Sequence, residues 1–123
     1  MQHIIVIATP EDEQEPVKTQ PSVPKVFRDD QFMRFLLGPE TEWDTESSAV
    51  PIVFNDTRDP FLGGPVLKDV KDAQGRDTYI VNSNNALAAG ATSQVYGVTY
   101  FVKKMPIGIK IRHDPEVGNE PQP

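Results

Sequence analysis

The stretch SQVYGVTYFVK, Ser93 to Lys103, sets Val95, Gly97, Thr99 and Phe101 against Tyr96, Val98, Tyr100 and Val102. β-Branched and aromatic side chains with a period of two pack well on a pleated surface and poorly on a helix, so this run predicts the central strand of the chain. Lys104-Met105-Pro106 turns it, and Ile107 to Arg112 (IGIKIR) alternates again as an antiparallel partner with one apolar and one wet face.

Working outward, Val66 to Val70 and Thr78 to Val81 flank Asp72-Ala73-Gln74-Gly75-Arg76, a glycine-containing connection of hairpin length. Val50 to Phe54 reads as a strand whose Pro51 favours an edge, and His3 to Ala8 as a strand ended by Thr9-Pro10. Val26 to Leu37 (VFRDDQFMRFLL) predicts a helix, with Asp29 or Asp30 as cap and Phe32, Phe35 and Leu36 at i, i+3, i+4 on a face packed against the sheet. Asn82 to Ala91 predicts a short Ala-rich helical turn closed by Gly90. Nothing alternates strand with helix as a parallel sheet requires. The expected fold is mainly β, a small antiparallel β-sandwich or barrel with one short packed helix.

Twelve of the 123 residues are proline, and they cluster toward the ends. Pro10 to Pro24 carries four prolines and four acids but only two apolar side chains, Val17 and Val23, and such chain is expected to be extended and PPII-like. Asp114 to Pro123 is again proline-rich and polar. The expected organisation is an extended N-terminal arm over residues 1–24 with a short strand at 3–8, a compact β-rich domain over 25–113, and a C-terminal tail over 114–123.

The chain has no cysteine, which removes thiolate chemistry and every Cys-based metal site. His3 and His113 stand at strand ends without ligand spacing, and the carboxylate pairs Asp29/Asp30, Glu40/Glu42, Asp44/Glu46 and Asp56/Asp59 lie in polar segments, away from the burial that acid–base catalysis needs. Asn55 to Asp59 lacks the glycine and distal glutamate of a calcium loop, Gly63-Gly64-Pro65 lacks the continuation of a phosphate loop, and Ser47 and Ser48 lack a nucleophile-elbow context. No enzyme activity and no cofactor are expected. The longest apolar run, Ile4 to Ala8, is too short for a signal peptide or a membrane span.

The formal charge is −6, and it is unevenly spread: residues 1–59 hold 12 acids and 5 bases, residues 60–123 hold 6 and 7. That sign opposes a polyanion, so Tyr96 and Tyr100 are read as core or partner contacts rather than base-stacking groups. Proline-rich arms on a small β-domain suit the wrapping of neighbouring subunits. The expected role is therefore a virion structural protein, specifically a bacteriophage capsid decoration or cement protein. It would form a homo-oligomer, a trimer among the options, and clamp a larger major capsid protein. The partner-binding residues expected are Glu11, Asp12, Glu13, Glu15, Val17 and Val23 on the arm and the basic cluster Lys103, Lys104, Lys110 and Arg112. The alternative is an acidic inhibitor or immunity-type protein presenting the carboxylates of residues 11–15 and 40–46 to a basic surface.

Overall fold

A computed structural model describes residues 2–22, 25–26, 32–54, 65–82, 94–113 and 116–119, and their regular elements are all strands. In chain order these are β1 (Gln2–Ala8), β2 (Val17–Gln20), β3 (Lys25–Val26), β4 (Phe32–Leu37), β5 (Thr41–Trp43), β6 (Ile52–Phe54), β7 (Leu67–Lys71), β8 (Asp77–Asn82), β9 (Gln94–Lys104), β10 (Ile109–His113) and β11 (Glu116–Asn119). Among the described residues no helix is long and apolar enough to cross a membrane.

One sheet has the order β2-β1-β4-β8-β7, antiparallel except for β1 beside β4. The other is organised on β9. Along one edge run β10, from Ile109 opposite Lys104 to His113 opposite Tyr100, and β11, from Glu116 opposite Gly97 to Asn119 opposite Gln94. Along the other run β5, opposite residues 102–104, and β6, opposite residues 98–100. Phe101 lies between these two pairings, where its carbonyl accepts from Asp44 N–H at 3.0 Å and its N–H donates to the Pro51 carbonyl at 2.9 Å, so the loop between β5 and β6 leaves and rejoins the sheet there. β3 adds in parallel outside β11.

The two sheets meet through the residues that alternation predicts should share a face. Ile4, Val6, Ala8, Met33, Phe35, Tyr79 and Val81 of the first pack against Trp43, Ile52, Phe54, Val98, Tyr100 and Val102 of the second. Phe35 lies 6.4 Å from Phe54 and 5.9 Å from Tyr100, ring centre to ring centre, and Trp43 meets Tyr79 edge-on at 5.4 Å. Two hydrogen bonds add polar stitches between the layers: Ala8 N–H to Thr41 Oγ1 at 3.0 Å and Trp43 Nε1–H to the Asp77 carbonyl at 2.7 Å. The arrangement is consistent with a β-sandwich.

The predicted helix over 26–37 is corrected over the part described, because residues 32–37 form strand β4. Phe32, Phe35 and Leu36 fit a helical face, but Met33, Phe35 and Leu37 fit a strand face equally, and they are the ones buried. Two ladders, from β1 and β8, decide between these patterns, since a helix of two turns has little stability of its own. Phe32 and Leu36 consequently turn to the opposite face. Residues 27–31, with the expected caps, and the Ala-rich turn over 83–91 lie outside the described residues.

The N-terminal segment also differs from an extended arm over residues 2–20. β1 and β2 form a hairpin, with Ile5 opposite Gln20 and Ala8 opposite Val17, and Val17 is only 2% exposed. Pro10 and Pro16 fall in the intervening loop, where a missing N–H costs the ladder nothing. Thr9 N–H closes that loop onto the Pro16 carbonyl at 2.8 Å. The C-terminal tail likewise enters the sheet at residues 116–119 as β11.

Two outcomes follow for stability. Phe35→Ala should cost about 3–5 kcal/mol as a large-to-small change in a closed core, read as a clear fall in melting temperature. Deleting residues 1–20 removes an internal strand and should abolish the cooperative melt; a truncated chain that still melts cooperatively would restore the separable arm.

Candidate interaction surface at the Arg76 end

One end of the sandwich is held by a single guanidinium. The β7–β8 turn is shaped by Asp72, whose Oδ1 accepts from the N–H groups of Gln74 and Arg76, both at 2.9 Å, while Gly75 takes the left-handed conformation (φ 79°) that its position requires. This aims Arg76 across to the β4–β5 turn. Its Nε donates to Asp72 Oδ2 at 2.8 Å, Nη1 to the carbonyls of Gly38 (2.8 Å) and Thr41 (3.2 Å), and Nη2 to Leu37 O (3.1 Å) and Gln74 Oε1 (2.6 Å). All five donors of the guanidinium are used. Arg76 is thus a clamp between two turns, with no donor left for an anion.

Burial works to raise the Asp72 carboxyl, yet the hydrogen bonds from Arg76 and Gln74 and the Arg76 charge outweigh it and hold Asp72 below the usual carboxylate range. Asp77 is lowered chiefly by its hydrogen bond from Lys71 at 3.0 Å. In Asp44 burial is again outweighed, here by hydrogen bonds from Ser47 and by the charges of Lys110 and Lys103.

Beside the clamp lies an open groove of roughly 990 Å³. Ile5 and Ile7, on the outer face of β1, line it with Leu37 and Pro39, and Glu11, Glu40, Glu42 and Lys104 stand among its polar wall. Gly38 is required in this wall: a Cβ there would come within 2.5 Å of the Ile7 side chain. Glu40 adopts φ 51°, an uncommon conformation for a residue with a Cβ, and pairs with Lys104 at 3.3 Å. Directly adjoining the groove is the β9–β10 turn, anchored by Met105 N–H to the Glu40 carbonyl (2.8 Å) and closed by Gly108 N–H to Lys104 O (2.7 Å). Ile107 at its tip is 85% exposed.

The basic cluster expected from sequence is divided by the strand alternation. Lys103 and Lys110 sit opposite each other and share Glu46, at 4.0 and 3.1 Å. Arg112 lies over the Phe101 ring at 5.6 Å, whereas Lys104 turns to the groove. Of the expected acidic group, Asp12 accepts from the N–H groups of Gln14 and Glu15 and pairs with Lys18 at 3.1 Å, and the Glu15 N–H is the largest influence lowering its pKa. Glu11, Glu13 and Glu15 are exposed, and Glu11 reaches the groove wall. Val17 is in the core and Val23 lies outside the described residues. Tyr100 is buried, so it offers no stacking surface. His3 faces Arg34 and His113 faces Tyr100 in different sheets. No group of three potential metal ligands occurs among the described residues.

The strand expected over Ile107 to Arg112 is corrected at its start: it begins at Ile109, Ile107 stands in the turn, and of the expected apolar face only Ile111 is buried; Arg76 and the groove are not singled out by sequence reading. The available signal for Ile107 is an aliphatic residue between proline and glycine in a hairpin turn, where polar residues are usual.

The lowered aspartates predict acid sensitivity of definite sign. Their contribution is complete above the ordinary carboxylate pKa and is lost as pH falls through their lowered values, that is, below about 4. Asp72→Asn should lower the melting temperature at neutral pH and flatten its fall in acid; an unchanged acid slope would show that Asp72 does not carry the effect. Compared with known protein families and with curated proteins, the chain matches no family model and no curated sequence.

Proposed function

We propose that this chain is a virion structural protein, a small bacteriophage capsid decoration or cement protein that acts by binding a major capsid protein and not by catalysis. The observation that supports this reading is the outer face of the first sheet. Alternation turns Phe32 and Leu36 of β4, Ile80 of β8 and Leu67 of β7 outward together, with Leu67 opposite Ile80 in the ladder and Arg34, ion-paired to Asp69 at 2.6 Å, among them. Leu67 is 57% exposed and Val70, on the same edge strand, 63%. Apolar side chains on a sheet face and its margin suit a broad, flat protein partner, and a shell of repeated subunits is such a partner. In this form of the proposal the sheet face makes the contact that extended arms were expected to make, because the N-terminal segment is occupied in the fold.

The acidic-inhibitor reading retains one favourable observation, the exposed carboxylates of Glu11, Glu13 and Glu15 on the β1–β2 loop. Co-sedimentation separates the two. The chain should bind capsid shells lacking it saturably, and Leu67→Asp with Val70→Asp should weaken binding at least about tenfold, one apolar anchor's worth, without changing the melt. Absence of shell binding, together with stoichiometric capture of a basic nuclease that is lost in a Glu11, Glu13 and Glu15 to Gln variant, would replace this proposal by the inhibitor reading.

A further inference from the structure

We infer that Arg34 is the polar anchor of the β4–β8–β7 face and that it receives a carboxylate from the surface of the protein partner. The inference rests on the shell-binding reading for the identity of that partner, and it deepens that reading by stating one group the shell must present.

Arg34 stands in the middle of β4, opposite His3 of β1 and Ile80 of β8. A guanidinium carries five N–H donors. Arg76 uses all five within its own chain, whereas Arg34 makes one bond among the described residues, from Nη2 to Asp69 Oδ2 at 2.6 Å. Its Nε, which a side-on fork would give to the second carboxylate oxygen, is buried without a partner. Both side chains of the pair are 26% exposed, and the donors that remain for a second acceptor are those of Nη1 and Nη2.

Charge decides which acceptor fits. At the adjoining β7 edge Lys68 and Lys71, themselves 62% and 66% exposed, share the single carboxylate of Asp77 at 3.5 and 3.0 Å. Among the described residues of this edge, Arg34, Lys68 and Lys71 face Asp69 and Asp77, one positive charge in excess on a chain whose formal charge is −6. A carboxylate from the partner balances that excess, and a neutral acceptor leaves it. The apolar neighbours strengthen the contact, because Phe32 and Leu67, exposed in the free chain, exclude water once a partner covers them. A wholly apolar partner would instead desolvate the Arg34–Asp69 pair and return nothing for it. One residue thus favours a surface that carries an acid and penalises surfaces that do not.

Replacing both members of the pair, Arg34→Met with Asp69→Leu, tests this. The double variant strands the partner's carboxylate against an apolar surface, so its binding to shells lacking the chain should weaken at least about tenfold, with the cooperative melt retained. Its binding should also depend less steeply on salt than that of the wild type. A second variant, Arg34→Lys with Asp69→Asn, places an amine at the same point; a zero-length carbodiimide should then couple residue 34 to an Asp or Glu of the shell protein. A double variant that binds as tightly as the wild type, or a lysine at position 34 that couples to no shell carboxylate, would overturn the inference and leave the shell-binding reading standing. Failure of the wild type itself to bind shells would overturn both.

Discussion

Strand β9 is hydrogen-bonded along both edges, and this one constraint organises the second sheet. β5 and β6 share one edge, while β10 and β11 share the other. Its inward residues Val98, Tyr100 and Val102 have no exposure at all, and Tyr100 touches Phe35 of the opposite sheet. Register in a half-buried strand is strongly specified, since a slip by one residue would exchange the two faces. A slip here would place Thr99 and Phe101 in the core and turn the tyrosine out. Burial has a polar cost, because the Tyr100 hydroxyl finds no partner among the described residues and desolvation raises its pKa. The ring's contacts in the core outweigh that cost in a site where a shorter side chain would leave a void.

What could be read from the letters follows from how local each signal is. The strands over 93–103, 107–112, 78–81 and 3–8 carry their alternation within four to eleven residues, and the structure has β9, β8 and β1 there and β10 from Ile109 onward. In FMRFLL both periods are satisfied, and the deciding information lies in β1 and β8, which are distant in sequence. The prolines misled for a related reason. Proline density measures how little a segment can donate to a ladder, but Pro10 and Pro16 bracket a loop that donates little anyway, leaving Val17 to Gln20 free to pair. At the candidate surface, charge types were legible and charge partners were not: Glu46 reaches Lys110 across 64 positions, and Arg76 meets Leu37 across 39.

These pairings change what the charges can do. Lys18, Lys103, Lys104 and Lys110 each have a carboxylate from their own chain, and the exposed pairs among them are worth roughly 0–1 kcal/mol apiece. Such pairs add little to stability, yet they reduce the field a partner would meet. Part of the uneven charge distribution along the sequence is thereby folded together, since Glu40 and Glu46 lie against Lys104, Lys103 and Lys110. Recognition by charge alone is weakened by this arrangement, and apolar contacts on the β4–β8–β7 face gain relative importance, with the remaining carboxylates acting mainly on encounter rate.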